Sequence, residues 1–177
     1  MDMNRMTLKL QEALQAASTH AMRRSHQGID VEHLLLALME QEAGLSRPLF
    51  EQAGVSPTAV QKAAEAALDR LPQVQGPGSA SGQIYVTQRL SHVLTQAEQE
   101  MRGLHDEYVS IEHILLAMVG EGGILRQLGL TRERLLSALQ QIRGNQRVTS
   151  QDPESTYQAL EKYGRDLTRL GACPSNG

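Results

Sequence analysis

Glu32-His33-Leu34-Leu35-Leu36-Ala37 returns 80 residues later as Glu112-His113-Ile114-Leu115-Leu116-Ala117, and this recurrence decides how the whole chain reads. The same offset pairs Thr7 with Thr87, Leu10 with Leu90, Leu14 with Leu94 and Ala17 with Ala97. Further on the offset falls to 75, pairing Gly54 with Gly129 and Val60 with Leu135. The second copy is therefore five residues shorter, in the loop that begins near Gly120.

Each copy reads as four helices, because the capping chemistry recurs with the hydrophobic pattern. Thr7 and Thr87 stand as N-caps ahead of the rows Leu10, Leu14, Ala17, Ala21 and Leu90, Leu94, Ala97, Met101, whose spacing of three and four puts them on one face. Asp30 and Ser110 cap the second helix, with Ile29 facing Leu34 and Val109 facing Ile114 as hydrophobic staples. A short third helix ends near Gly54 and Gly129. Ser56, followed by Pro57, and Thr131 cap the fourth, with staples from Val55 to Val60 and from Leu130 to Leu135.

The expected fold is all-α: a pseudo-two-fold duplicated four-helix repeat of about eight helices, plus a linker and one C-terminal helix. Repeat one spans 1–71 and repeat two 84–143, together forming a double-repeat domain over 1–143. Between them, 72–83 contains Gly76-Pro77-Gly78-Ser79-Ala80-Ser81-Gly82, flexible by composition. A polar linker over 144–156 leads to a helical pattern and tail over 157–177, with Tyr157, Leu160, Tyr163, Leu167 and Leu170 on one face. A copy of roughly 65 to 70 residues is near the size at which a single core is marginal, so the copies are expected to pack together with a groove at their junction.

Composition agrees with the helices. The 177 residues hold 25 leucines and 18 alanines against 15 valines and isoleucines, one phenylalanine and no tryptophan, and unbranched side chains lose little rotamer freedom in a helix. The net charge is -3 with both signs interspersed, which argues against nucleic acid as a ligand. The opening MDMNRMTLKL lacks the apolar core of a signal peptide, and the longest apolar run, Leu34 to Met39, is far too short for a bilayer. A single cysteine, Cys173, cannot staple the fold. The expected setting is cytoplasmic, with no membrane partner.

The histidines and the cysteine do not assemble a reaction centre. His33 and His113 each follow a glutamate, but adjacent helical side chains point about 100 degrees apart and do not share one ion readily. His20 and His26 would need a third ligand from elsewhere to hold zinc. Packing and hydrogen bonding at helix ends account for these histidines better, so no metal and no cofactor is expected. Cys173 lacks a positioned base, and no nucleophile motif occurs. No enzymatic activity is expected of this chain.

The doubled Glu-His-Leu/Ile-Leu-Leu-Ala pattern, the Thr7 and Thr87 helix starts and Leu71-Pro72-Gln73-Val74 resemble the Clp amino-terminal domain of bacterial Hsp100 AAA+ unfoldases. Gly144 to Thr149 and Tyr157 to Thr168 resemble the junction that leads into the first ATPase domain of ClpB-type disaggregases. No Gly-x-x-x-x-Gly-Lys-Ser/Thr phosphate loop occurs in the 177 residues.

The resemblance implies binding of hydrophobic segments of unfolded or aggregated proteins, which an ATPase ring absent here would disaggregate. It implies a monomeric isolated domain, hexameric full-length relatives, and a DnaK-type chaperone system acting with them. The alternative it implies is docking of an adaptor or assembly, as in ClpA, ClpC and ClpV relatives. It implies that Thr7, Asp106 and Glu112 matter for chaperone activity, with Thr87 as the second copy's counterpart of Thr7. Leu90 and Leu94 would lie on a partly exposed apolar surface near the repeat junction, flanked by Tyr108 and His113.

Overall fold

Every N-cap expected at a long helix is present. Thr7 accepts from the Leu10 N–H, Thr87 from Leu90, Ser56 from Ala59 and Thr131 from Arg134. Each such cap stabilises its helix by about 1 kcal/mol. The structure is a computed structural model that describes residues 3–42, 44–73 and 84–153. The helix expected over 157–177, Cys173 and most of the inter-repeat linker lie outside the described residues.

After a single 3-10 turn at Met3–Arg5 come α1 (Leu8–Arg23), β1 (Gly28–Ile29), α2 (Val31–Glu40), α3 (Ser46–Gln52) and α4 (Pro57–Asp69). The second set is β2 (Tyr85–Val86), α5 (Gln88–Gly103), α6 (Ile111–Glu121), α7 (Gly123–Gln127) and α8 (Arg132–Arg143). Within each set the first helix packs on the second, while α3 packs on α8 and α4 on α7 across the pseudo-two-fold axis. The α6–α7 turn consists of Gly122 alone, at φ 105°, which is where the second copy is shorter.

The inward row of the first helix of each set runs slightly differently from the sequence expectation. Leu10, Ala13, Ala17 and Ala21 are buried in α1 and Leu90, Val93, Ala97 and Met101 in α5, whereas Leu14 and Leu94 are half-buried. A spacing of three, four and four residues holds that row on the face toward α2 and α6. Alanine in the row lets the helix axes approach closely, which explains how a core forms around one phenylalanine, Phe50, itself fully buried.

The copies exchange short extended segments, which periodicity does not reveal. Gly28 and Ile29 pair in parallel with Tyr85 and Val86, and the Thr87 N–H donates to the Ile29 carbonyl at 3.1 Å. At the symmetry-related place Met6 bridges Val109, and the Thr7 N–H donates to the Val109 carbonyl at 2.9 Å. The backbone just before each first helix is thus held by the loop before the second helix of the other copy. Both threonines are caps inside this crossing.

Candidate functional site

The two crossings are related by the repeat, but their electrostatics differ. In repeat one, His33 sits at N3 of α2, where its Nδ1 accepts from the Asp30 N–H at 2.9 Å in a capping box. Its Nε2 therefore carries the proton and donates to His26 Nδ1 at 2.8 Å. Burial, then the neighbouring His26, push the His33 pKa down to about 4; burial and Arg24 lower that of His26 as well.

In repeat two, His113 Nδ1 accepts from the Ser110 N–H at 2.8 Å, and its Nε2 donates to Asp106 Oδ2 at 2.7 Å. Asp106 is the counterpart of His26. Its carboxylate also accepts from Arg143 Nη2 at 2.9 and 3.0 Å and from the Val148 N–H at 2.9 Å. Burial alone would raise its pKa; the bonds from His113 and Val148 and the charge of Arg143 outweigh burial and lower it. Arg143 Nη1 also donates to Glu112 Oε2 at 3.2 Å, while Glu112 Oε1 is buried and accepts no hydrogen bond among the described residues. Leu68, 75 residues before Arg143, fills the same place in repeat one with an apolar side chain.

A second charged group ties the copies together. Arg89 Nη1 donates to Glu32 Oε1 at 2.7 Å and its Nε to Glu121 Oε1 at 2.6 Å, with Asp30 Oδ1 at 3.5 Å. Partial burial would ease loss of its proton, but the bonds to Glu121 and Glu32 more than offset this and raise its pKa. The Thr87 hydroxyl donates to Asp30 Oδ1 at 3.0 Å, so the cap and the clamp share one carboxylate.

The eight residues expected at a client-binding surface are placed differently from one another. Leu90, Glu112 and His113 are fully buried, as is the Asp106 side chain. None of these side chains is exposed at the surface. Leu90 belongs to the α5 core row, Asp106 accepts from His113, Arg143 and the Val148 N–H, and Glu112 accepts from Arg143 through one oxygen. Thr7 is also buried and Thr87 half-buried, each as a cap. Leu94 and Tyr108 alone among the eight combine an apolar body with partial exposure and no other assigned bond.

Among the described residues the exposed large apolar side chains are Met3, Leu8, Met22, Tyr85 at 60% and Val86 at 47% exposure. Tyr85 and Val86 form β2, and Met3 and Leu8 flank the Met6–Val109 bridge, so four of the five stand at the two crossings. Capping and periodicity could not single them out. Arg143 could have been noticed, since it puts a cation where the repeat has leucine.

Two open cavities lie on repeat two, of about 260 Å³ between α5 and α6 around Leu116, Ala117 and Gly120, and about 240 Å³ beside α8 around Leu104, Leu136 and Arg147. None of the eight expected residues lines either. Among the described residues no group of three metal-ligating side chains occurs, and no helix is long and apolar enough to cross a membrane.

A family model described as the Clp repeat (R) N-terminal domain matches residues 5–129. Chaperone protein ClpB of Bacillus cereus is 46% identical over 171 residues, covering 94% of this chain and 20% of that protein. Chaperone protein ClpB of Nitratidesulfovibrio vulgaris is 47% identical over 173 residues, with the same shares covered. The chain thus spans about a fifth of the length of these relatives. Among solved structures, the Hsp104 N-terminal domain of Candida albicans superposes with a TM-score of 0.68 at 20% identity, over 82% of this chain and 96% of that one. The N-terminal domain of the E. coli ClpV1 ATPase gives 0.68 at 22% identity, over 85% and 91%. A ClpV N-domain in complex with a VipB peptide gives 0.63 at 21% identity, over 77% and 86%. These likenesses establish a shared fold.

Proposed function

The chain belongs to the Clp repeat (R) N-terminal domain family, and from that premise we propose that it is the client-engaging amino-terminal domain of a ClpB-like chaperone. On this reading residues 1–143 form the binding module. It holds hydrophobic segments of unfolded or aggregated proteins for an ATPase ring that lies outside this chain. The ring is hexameric and cytoplasmic and works with a DnaK-type system.

The observation that carries the proposal is the set of apolar side chains left at the surface, most of them at the crossings. Tyr85, Val86, Met3 and Leu8 are exposed and Leu94 and Tyr108 half-buried, over a scaffold fixed by the Arg89 clamp and the Asp106 network. A rigid surface with scattered apolar contacts suits clients of many sequences, because apolar contact discriminates less than paired hydrogen bonds do. A few side chains contributing roughly 1.5 to 3 kcal/mol each before ordering costs give weak binding, so the client can be passed on. Six tethered copies would regain avidity through effective concentration.

The test is to substitute Leu94→Ala, Tyr108→Ala and Tyr85→Ser singly and measure anisotropy of a labelled unfolded client beside thermal stability. Weaker binding at unchanged stability, persisting at high salt, supports the reading. Binding lost only together with the fold, or abolished by salt, overturns it.

A second reading, docking of one defined adaptor or assembly peptide, is favoured by the fold shared with the ClpV N-domain solved with a VipB peptide. It is distinguished by one saturable partner and no affinity for generic unfolded chains.

A further inference from the structure

The segment after α8 is bound to the body of the domain the way a short extended peptide would be. The Glu107 N–H donates to the Val148 carbonyl at 2.8 Å, and the Leu8 N–H donates to the Gln151 carbonyl at 2.7 Å. In return the Val148 N–H donates to Asp106 Oδ1 at 2.9 Å, and Gln151 Nε2 donates to the Asn4 carbonyl at 3.2 Å. Arg147 reaches back to the Leu104 carbonyl.

Among Arg147–Gln151 only Val148 is fully buried, in the hydrophobic core, with Gln151 half-buried and Arg147, Thr149 and Ser150 exposed. Backbone hydrogen bonds supply the affinity and one small pocket supplies the selectivity, which is the division of labour in recognition of extended peptides by strand addition. The receptor groups are two backbone donors, Glu107 and Leu8, two backbone acceptors, Asn4 and Leu104, and a carboxylate aimed at a peptide N–H. The donors and the carboxylate meet only the peptide backbone; the two carbonyls meet the side-chain ends of Gln151 and Arg147, and the one apolar pocket is filled by Val148.

We propose that the site filled by Arg147–Gln151 is a docking site for an extended client segment bearing a valine- or isoleucine-sized side chain, kept occupied by the chain's own strap until a client displaces it. The proposal rests on the client-binding reading above and names the chemistry recognised. It also gives Asp106 a second role, because the carboxylate that closes the buried network is the acceptor presented to the incoming backbone. A tethered strap lowers apparent client affinity in proportion to the fraction of time it is docked. If it is open about a tenth of the time, full release tightens client binding about tenfold.

The test uses the full chain in three measurements. First, Val148→Asp, which cannot refill an apolar pocket beside Asp106, should bind a labelled peptide of the sequence NQRVTSQD, residues 145–152, at least tenfold more tightly than the unchanged chain does. Equal binding by both chains overturns the site. Second, that peptide should compete with an unfolded model client on the variant. If a client binds and the peptide does not compete, the displacement proposal fails while the client-binding reading stands. If the peptide binds and no client does, the client-binding reading fails and the displacement proposal with it. Third, amide exchange on the unchanged chain does not depend on the variant folding. Saturating client should strip protection from the Val148 amide and leave the Leu8 and Glu107 amides protected. Retained protection at Val148 overturns the proposal.

Discussion

His113 Nε2 lies 2.7 Å from Asp106 Oδ2, in the place where repeat one sets His33 2.8 Å from His26. The same capping histidine thus works against a neutral partner in one copy and an ionised one in the other. The ionised partner brings Arg143 into the interior, and Arg143 brings in the strap through the shared Asp106 carboxylate.

Arg143→Leu copies the residue that repeat one has at this position. It leaves Asp106 and Glu112 buried without their cation and should destabilise the domain by about 3 to 5 kcal/mol in equilibrium denaturation. Adding Asp106→His and Glu112→Gln completes the neutral arrangement and should recover most of the loss. A triple variant no more stable than Arg143→Leu alone would show that the network is not the cause.

Acid should weaken the fold in two stages. The unfolded chain takes up a proton at an ordinary histidine near pH 6.5, while folded His33 refuses it until about pH 4. The unfolded state therefore binds more protons over this interval, and stability present above pH 6.5 is lost as pH falls toward 4. Asp106, lowered from 3.8, adds a further loss at still lower pH. His33→Gln keeps an acceptor at the capping-box position but does not titrate. Its thermal midpoint should fall less between pH 6.5 and 4.5 than that of the unchanged chain.

Arg89→Leu removes the clamp between Glu32 of repeat one and Glu121 of repeat two. The guanidinium is about one-third exposed, so water screens part of the interaction, and the expected loss is about 1 to 2 kcal/mol. Amide exchange should rise first at Thr87 and Tyr85, whose N–H groups bond across the crossing. Exchange unchanged at those amides would exclude a role for Arg89 in holding the crossing.

Ser25 and His105 follow the first helix of each copy at φ 58° and 59°, the left-handed region that side chains disfavour. Ser25→Gly and His105→Gly should each raise stability by up to about 1 kcal/mol, the relief of strain outweighing the added entropy of the unfolded chain. Thermal melts of the two variants and their combination check this, with near-additive gains expected because the sites lie in different copies.

The duplication, the four helices of each copy and their caps were legible in the residues, because a cap and an amphipathic row are local and were written twice. The role of His33 and His113 was legible only in kind, as packing and hydrogen bonding at a helix start. Leu94 and Leu90 looked alike as members of one apolar row, yet Leu90 is fully buried and Leu94 is not. A difference of a single helical step in which face turns inward is set by the neighbouring helix.

What the sequence determined by itself was therefore local and periodic: where helices start, which stripe is apolar, and that one unit occurs twice. The tertiary structure alone decided which charges meet. Asp106 and Arg143 are 37 residues apart and Arg89 and Glu32 are 57 apart. No local rule relates such pairs: Arg89 meets Glu32 across the crossing of the two copies, Asp106 meets Arg143 where α8 packs back on α6 within repeat two, and burial then forces each charge to find a partner or be neutralised. The same closure buries Glu112 and His113 and leaves Tyr85 and Val86 in water. It turns the residues after Gly144 from a polar connection into a strap held by its one valine.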